Sequence, residues 1–404
     1  MTERALLVLL GAGASIEAGL PASYTLTRKL LDQTANYDDP TPRLVLRYVY
    51  GQLAADQGRR GLDPNEIDVE RLVTAIELLG DRANLEISPF VAAWDGALVG
   101  IERARVDGGQ IGKAVSEFVG SVLGPSQPNG DKLAAAVANV VHQAQTGDGR
   151  RFKNVARWCR EQLLELLANP TDISYLLPLL IDIGSHARTV ATLNYDLTAE
   201  QAARDGGVEL TTGVESWNGG EWPRPTSGIQ LLKLHGSLDW WEIEEEELIR
   251  GPGLTTIEPT DRRFGRRAPP AAIFGGRNKL RADGPFLEIL REFGQQLTRA
   301  DDLLVVGYSF RDPHVNEVIR RWVNRSPDGR IAVVDPSGEP RVYGAELTFR
   351  QLLAQRLGGR HTDSHGGESP QRIRWIAAGA RDGIPQALAD LQERAPWPAP
   401  ERPY

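Results

Sequence analysis

Cysteine is nearly missing from the chain. With Cys159 alone among 404 residues, no internal disulfide can close and no multi-cysteine zinc site can be built. Cys159 falls in RWCREQLLELL at helical spacing, where a thiol reads as a small buried hydrophobe rather than a nucleophile. Long apolar runs are missing too: none approaches the ~18 residues that span a bilayer, and no signal peptide precedes the first apolar strand. The chain therefore reads as cytoplasmic, with no membrane association. Lysine is scarce, six of the 46 cationic residues. Together with abundant Ala and Gly this points to genomic bias and drains meaning from any Arg-rich stretch. The net charge of −8 offers no electrostatic case for nucleic acid. At 41% hydrophobic and 25% charged residues the composition is that of a globular protein, of two or three domains or one enlarged α/β domain.

Hydrophobic patterning divides the chain. ALLVLLGAG predicts a short buried strand running into glycines, and SIEAGLPASYTLTRKLLDQ a turn followed by a helix. From about residue 41 to 185 the pattern is helical: RLVLRYVYGQL, DVERLVTAIELL, KLAAAVANVVHQA and NVARWCREQLLELLA carry apolar residues at i, i+3, i+4. Strands return at ARTVATLNYD, IQLLKLHGSLDW, DDLLVVGYSF, GRIAVVDP and RIRWIAAG. The later ones alternate with the helical patterns PHVNEVIRRWV, ELTFRQLLAQRL and IPQALADLQE. Alternation of this kind predicts an α/β fold with a Rossmann-like, doubly wound parallel sheet. The expected organisation is an α/β nucleotide-binding domain over 1–40 and 186–395, a helical module inserted at 41–185, and a proline-rich extended tail at 396–404. Residues 241–285, opening on an acidic run, show no clear periodicity.

The first candidate motif is the strand-to-helix turn GAGAS. Gly11, Ala12, Gly13, Ser15, Gly19 and Pro21 lie where glycine lets backbone approach a pyrophosphate and a helix start offers N–H groups. The dinucleotide fingerprint is not met: Ile16 stands where its third glycine belongs, and Asp32, at the spacing of the ribose-binding acid, lies in a helical pattern. A phosphate cradle and a plain tight turn both remain open on this motif alone.

Four later strands end in small or polar residues, where ligands collect in open α/β sheets. One ends in Thr192-Leu193-Asn194-Tyr195-Asp196, the next in His235-Gly236-Ser237, the third in Gly307-Tyr308-Ser309, and the fourth in Asp335-Pro336. In this order, across residues 6–336, the elements resemble the sirtuin (silent information regulator) family, especially its divergent bacterial branch. GAGAS with Gly19-Leu20-Pro21 is similar to the family's phosphate motif, TLNYD to its Asn-x-Asp element and LHGS to its catalytic histidine element. GYS is similar to its Gly-x-Ser loop, and VDP to the strand end that reads the adenosine ribose.

Two departures separate the chain from protein-deacylating sirtuins. Ala22-Ser23-Tyr24 follow Pro21 where those enzymes carry a Phe-Arg pair, and Cys159 alone cannot supply their four-cysteine zinc ribbon. The pattern is more similar to sirtuin-like NAD hydrolases of bacterial anti-phage systems. The resemblance implies NAD as the substrate, with no zinc or other metal, and cleavage of the nicotinamide–ribose bond to nicotinamide and ADP-ribose. It makes Asn194, His235 and Asp196 the catalytic set. Asn194 would hold water or ribose hydroxyls, Asp196 the nicotinamide carboxamide, and His235 would act as general base. Ser15, Gly307 and Ser309 would meet phosphates and Asp335 the adenosine ribose. It further implies a homo-oligomer and a HerA-type ATPase partner. A protein deacylase or ADP-ribosyltransferase, and a non-catalytic NAD-sensing or ADP-ribose-sensing module, are the alternative functions.

Structural readings stand beside these roles. Asn194 and Asp196 suit the start of the helix LTAEQAA, and His235 suits a satisfied buried histidine. Asp312 suits a helix cap ahead of His314, and Trp240-Trp241 suit packing. His142, His186, His361 and His365 fall in no constellation. The pairs Arg262-Arg263 and Arg266-Arg267 read as a solvated loop or as contacts to phosphate or a partner.

Overall fold

The computed structural model describes residues 4–85, 98, 149–186, 189–214, 216–217, 219–243, 247–250, 270–272, 285–341, 347–358, 371–393 and 397. The helical pattern KLAAAVANVVHQA, His142, His361, His365, the arginine pairs at 262–267 and the tail other than Trp397 lie outside them. Two compact units are present, one formed by residues 1–22 and 164–404 and the other by residues 23–163.

The second unit is helical where described, with α1 (Ser23–Gln33), α2 (Thr41–Arg59), α3 (Val69–Gly80) and α4 (Arg150–Leu167), which runs past the unit's end. Asp68 caps α3 by accepting from the Arg71 N–H. Cys159 on α4 is fully buried, and burial pushes its thiol well above the usual range, which makes it a packing residue. Asp32 lies on α1 rather than at a strand end.

The first unit is built on a seven-stranded sheet. Its strands are β1 (Leu6–Leu10), β2 (Thr189–Thr192), β3 (Leu210–Thr211), β4 (Ile229–Lys233), β8 (Asp302–Val306), β9 (Arg330–Val334) and β10 (Ile373–Ile376). They run in the order β10-β9-β8-β1-β2-β4-β3, every pairing parallel. A separate antiparallel sheet joins β5 (Gly236–Ile243) to β6 (Glu247–Arg250) and β7 (Pro270–Ala272). The run IQLLKLHGSLDW, one strand by periodicity, is therefore two: it leaves the parallel sheet after Lys233 and turns through His235 into β5.

Burial on both faces explains why the central strands read as unbroken apolar runs. Leu7 and Leu9 enter one core with Leu303, Val305, Ile331 and Val333. On that side lie α7 (Phe286–Arg299) and α8 (Pro313–Arg325). Val8 and Leu10 enter the opposite core with Val190, Leu304, Val306 and Val334. There the sheet meets α5 (Leu177–His186), α6 (Thr198–Asp205) and α9 (Ala380–Gln392). Each buried Leu or Val contributes roughly 1.5–3 kcal/mol. The expected doubly wound parallel sheet is what the chain forms. Among the described residues no helix is long and apolar enough to cross a membrane. Trp397, within the proline-rich tail, is buried, its ring beneath the guanidinium groups of Arg330 and Arg374.

The order also fixes a switch point. From β1 the chain proceeds through β2 and β4 on one side and β8, β9 and β10 on the other, so the carboxyl ends of β1 and β8 mark the place where open α/β sheets take their ligands. At that point two glycine loops touch. The Gly11 N–H donates to the Val306 carbonyl at 2.9 Å and the Gly13 N–H to the Gly307 carbonyl at 2.9 Å. Gly307 has φ 63°, and a Cβ there would stand 2.3 Å from the Ala14 nitrogen. Gly307→Ala should therefore cost ~2–4 kcal/mol, from a left-handed backbone and a clash that only loop separation relieves. Chemical denaturation measures it, and a variant as stable as wild type would mean that the two loops do not meet in this way.

Candidate functional site

The residues singled out by sequence converge on the carboxyl ends of β1, β2, β4, β8 and β9, but not as one cluster. After β1 a 3-10 turn spans Ala12–Ser15, and its sealed side is wired to the end of β2. The Asn194 side-chain nitrogen donates to the Gly11 carbonyl at 2.9 Å and to Ser15 Oγ at 3.0 Å. Both amide protons are thus committed inside the loop, which leaves Oδ1 as the acceptor through which Asn194 can act. Ser15 Oγ also lies 3.3 Å from Thr198 Oγ1. Tyr175 donates its hydroxyl to the Ala14 carbonyl. Burial, reinforced by the Asp196 and Glu17 carboxylates, pushes that hydroxyl well above its ordinary range and keeps it a donor.

Asp196 starts α6 as the helix-start reading requires, one residue ahead of the cap. Its Oδ1 accepts from the Thr198 N–H at 3.1 Å and the Thr198 hydroxyl at 2.6 Å. Its backbone carbonyl accepts from Lys233 Nζ at 2.6 Å, and the same ammonium donates to Glu200 Oε1 at 2.8 Å. Lys233 and Glu200 are both buried. Burial pushes the Glu200 carboxyl above its usual range, with the Lys233 charge pulling the other way. Nearby, Ser237 donates to Asp239 Oδ1 at 2.6 Å.

His235 follows β4. Its Nε2 lies 2.8 Å from Asp312 Oδ2, a residue on the far side of β1 and β2 in the sheet order. Asp312 caps α8 as the sequence predicts, through its other oxygen. Trp240 is fully buried packing, and His314 lies in the first turn of α8.

Asp335 is bonded to none of these. Its Oδ1 accepts from the Ser337 N–H and hydroxyl, and Oδ2 pairs with Arg350 at 3.0 Å. Arg350 in turn lies 4.9 Å over the Trp375 ring. Exposure sorts the set in two. Ser15, Asn194, Asp196 and His235 are buried, whereas Ala12, Gly19 and Ser309 are exposed and Gly13, Pro21, Gly307 and Asp335 half-buried. Among the described residues no group of three or more His, Cys, Asp or Glu could hold a metal ion.

Residues 188–355 match the family model described as a SIR2-like domain. That stretch carries Asn194, His235, Gly307 and Asp335 together. No curated protein matches the chain. Among solved structures it is similar to a Sir2 homologue in complex with NAD, at 11% identity, over 96% of this chain and 89% of the other, with a TM-score of 0.43. A mutant Sir2 homologue in complex with ADP-ribose matches at 12% identity over 96% and 91%, with a TM-score of 0.39. Sir2 in complex with an inhibitor, 2′-O-acetyl-ADP-ribose and a deacetylated peptide matches at 11% over 96% and 94%, with a TM-score of 0.40.

Three residues of this layer escaped the sequence reading: Lys233, Tyr175 and Asp312 in its link to His235. Lys233 carries a signal, being one of only six lysines and placed at the end of an apolar strand. Replacing it by Met strands the Glu200 carboxylate, a loss of ~3–5 kcal/mol at neutral pH. With its pKa raised, the folded protein holds the Glu200 proton more tightly than the unfolded chain does. Stability linked to that proton is present at acid pH and lost as pH rises through the folded pKa. The destabilisation by Lys233→Met should thus be larger at about pH 8 than at about pH 5 in urea titrations; an equal loss at both would remove Glu200 from the explanation.

Proposed function

We propose that the protein is an NAD hydrolase, an NAD glycohydrolase that cleaves the nicotinamide–ribose bond to give nicotinamide and ADP-ribose. One observation carries the reading: the Asn194 carboxamide at the end of β2 is bonded into the β1 loop at Gly11 and Ser15, at the switch point of the sheet, where open α/β folds bind nucleotides. The SIR2-like match over 188–355 supports it, as does the resemblance of GAGAS, TLNYD, LHGS, GYS and VDP to the sirtuin motifs.

The chemistry asks little of the protein. Nicotinamide leaves with the electron pair of the C1′–N bond, a water oxygen bonds to C1′, and the water proton passes to a base. Asn194 Oδ1 accepts a hydrogen bond from that water, and His235 takes the proton. Asp196 faces the nicotinamide carboxamide. The backbone of Gly11, Ala12, Gly13, Gly19 and Pro21, with Ser15, Gly307 and Ser309, forms the pyrophosphate side. Asp335 with Arg350 forms the adenosine-ribose side. Nothing in this set calls for a metal.

The setting we infer is a cytoplasmic, NAD-depleting effector of bacterial anti-phage defence that works as a homo-oligomer with a HerA-type ATPase partner. NAD loss would kill an unrestrained host, and the burial of Asn194, Asp196 and His235 fits an enzyme held silent until its partner acts. Chromatographic assay of nicotinamide, with and without the partner, tests the reading. Wild type should release nicotinamide without any acylated peptide, and Asn194→Ala and His235→Ala should each lower the rate by ~100-fold or more. Release that requires an acetylated peptide would instead establish a deacylase, and tight NAD binding with no release in any setting a sensor.

A further inference from the structure

A helix-capping aspartate needs one carboxylate oxygen, and Asp312 uses both. Oδ1 accepts from the His314 N–H at 2.8 Å and the Val315 N–H at 3.2 Å, which completes the cap of a thirteen-residue helix. Oδ2 is 2.8 Å from His235 Nε2. Both residues are buried, 7% and 5% exposed, so the bond acts in a medium that strengthens it. The loop that delivers Asp312 carries strain a cap alone would not require. Phe310 has φ 57°, a left-handed conformation that bulky residues rarely adopt, yet it is buried against Tyr308 at 4.8 Å between ring centres. The Tyr308 hydroxyl accepts from the Asp312 N–H at 3.1 Å and donates to Asn316 Oδ1 at 3.0 Å. Asn316 in turn donates to the Phe310 carbonyl at 2.8 Å. Backbone and side chain of Asp312 are both pinned, and pinned towards a histidine on the far side of two intervening strands.

We propose that Asp312 is a positioning residue that acts through His235. Its carboxylate holds the imidazole in the tautomer protonated on Nε2, which makes Nδ1 the basic nitrogen. On the NAD-hydrolase reading, on which this role rests, the proton of the attacking water passes to Nδ1 as the C1′–O bond forms and nicotinamide departs with its electron pair. The imidazolium so formed is stabilised by Asp312, which stays ionised throughout, and its proton then leaves to solvent.

Asp312→Asn and Asp312→Ser separate the two jobs, because Asn and Ser both retain a capping oxygen while the carboxylate is gone. In the full-length chain labelled with ¹⁵N-histidine, the His235 signals, assigned by their loss in His235→Gln, should report the Nε2-protonated tautomer. Both Asp312 variants should lose that signature while keeping the cooperative unfolding transition of the wild type. Nicotinamide release by the activated enzyme should fall ~100-fold or more in both, and Asp312→Glu should recover part of it. An unchanged tautomer signature in the Asn and Ser variants overturns the proposal. So does failure of both to fold despite the retained cap, which would make Asp312 structural. If wild type releases no nicotinamide under any condition, the hydrolase reading falls, and the tautomer measurement still decides whether Asp312 orients His235.

Discussion

Two backbone hydrogen bonds, from Gly11 to the Val306 carbonyl and from Gly13 to Gly307, hold the β1 and β8 loops against each other at the point where the sheet changes direction. Everything around the candidate site is arranged on that contact. No side chain fits between the loops, since a Cβ on Gly11 would lie 2.6 Å from the Gly307 oxygen and one on Gly13 2.7 Å from the Gly307 Cα. Glycine here serves the approach of backbone to backbone, whatever it also offers a phosphate. With the β1 loop fixed, its Gly11 carbonyl and Ser15 hydroxyl become anchors for Asn194; with the β8 loop fixed, the chain can enter the strained turn at Phe310 that delivers Asp312.

Beneath those loops lies a continuous buried polar layer, unusual where each unpaired group costs free energy. Lys233 holds the Asp196 carbonyl and Glu200, Asp196 holds Thr198, Thr198 neighbours Ser15, and Ser15 meets Asn194. A packed apolar layer would have been at least as stable. The layer instead fixes the directions of Asn194 and Asp196, and fixed direction is what a polar site in a low-dielectric interior needs.

Much of the fold was legible in the residues. Leu6–Leu10, Asp302–Val306 and Arg330–Val334 form where an unbroken apolar run ends in glycine or Asp-Pro, because strands buried on both faces leave that pattern. β3, two residues long, is too short to carry any periodicity. The polar stop His235-Gly236-Ser237 marked the end of β4, but Leu238 and Trp240 resume an apolar alternation directly after it, so the run gave no sign that β5 joins a separate antiparallel sheet. Among site residues, Asn194, Asp196 and His235 were legible because a strand end followed by polar residues is a local feature.

What the sequence determined by itself was therefore local: which runs are doubly buried, where they stop, and which polar residues stand at the stops. It also excluded a four-cysteine zinc ribbon, since one cysteine cannot make it. Only the tertiary structure decided which of those ends face each other. Asp312 read as a helix cap because capping involves neighbours two and three residues away; its second oxygen reaches His235, 77 residues away in sequence, only because the sheet order sets β8 and β4 on either side of β1 and β2. Lys233 and Tyr175 belong to the site for the same reason. Hydrogen bonds between distant segments depend on strand order and register, and those are fixed by packing over the whole sheet rather than by any one stretch of residues.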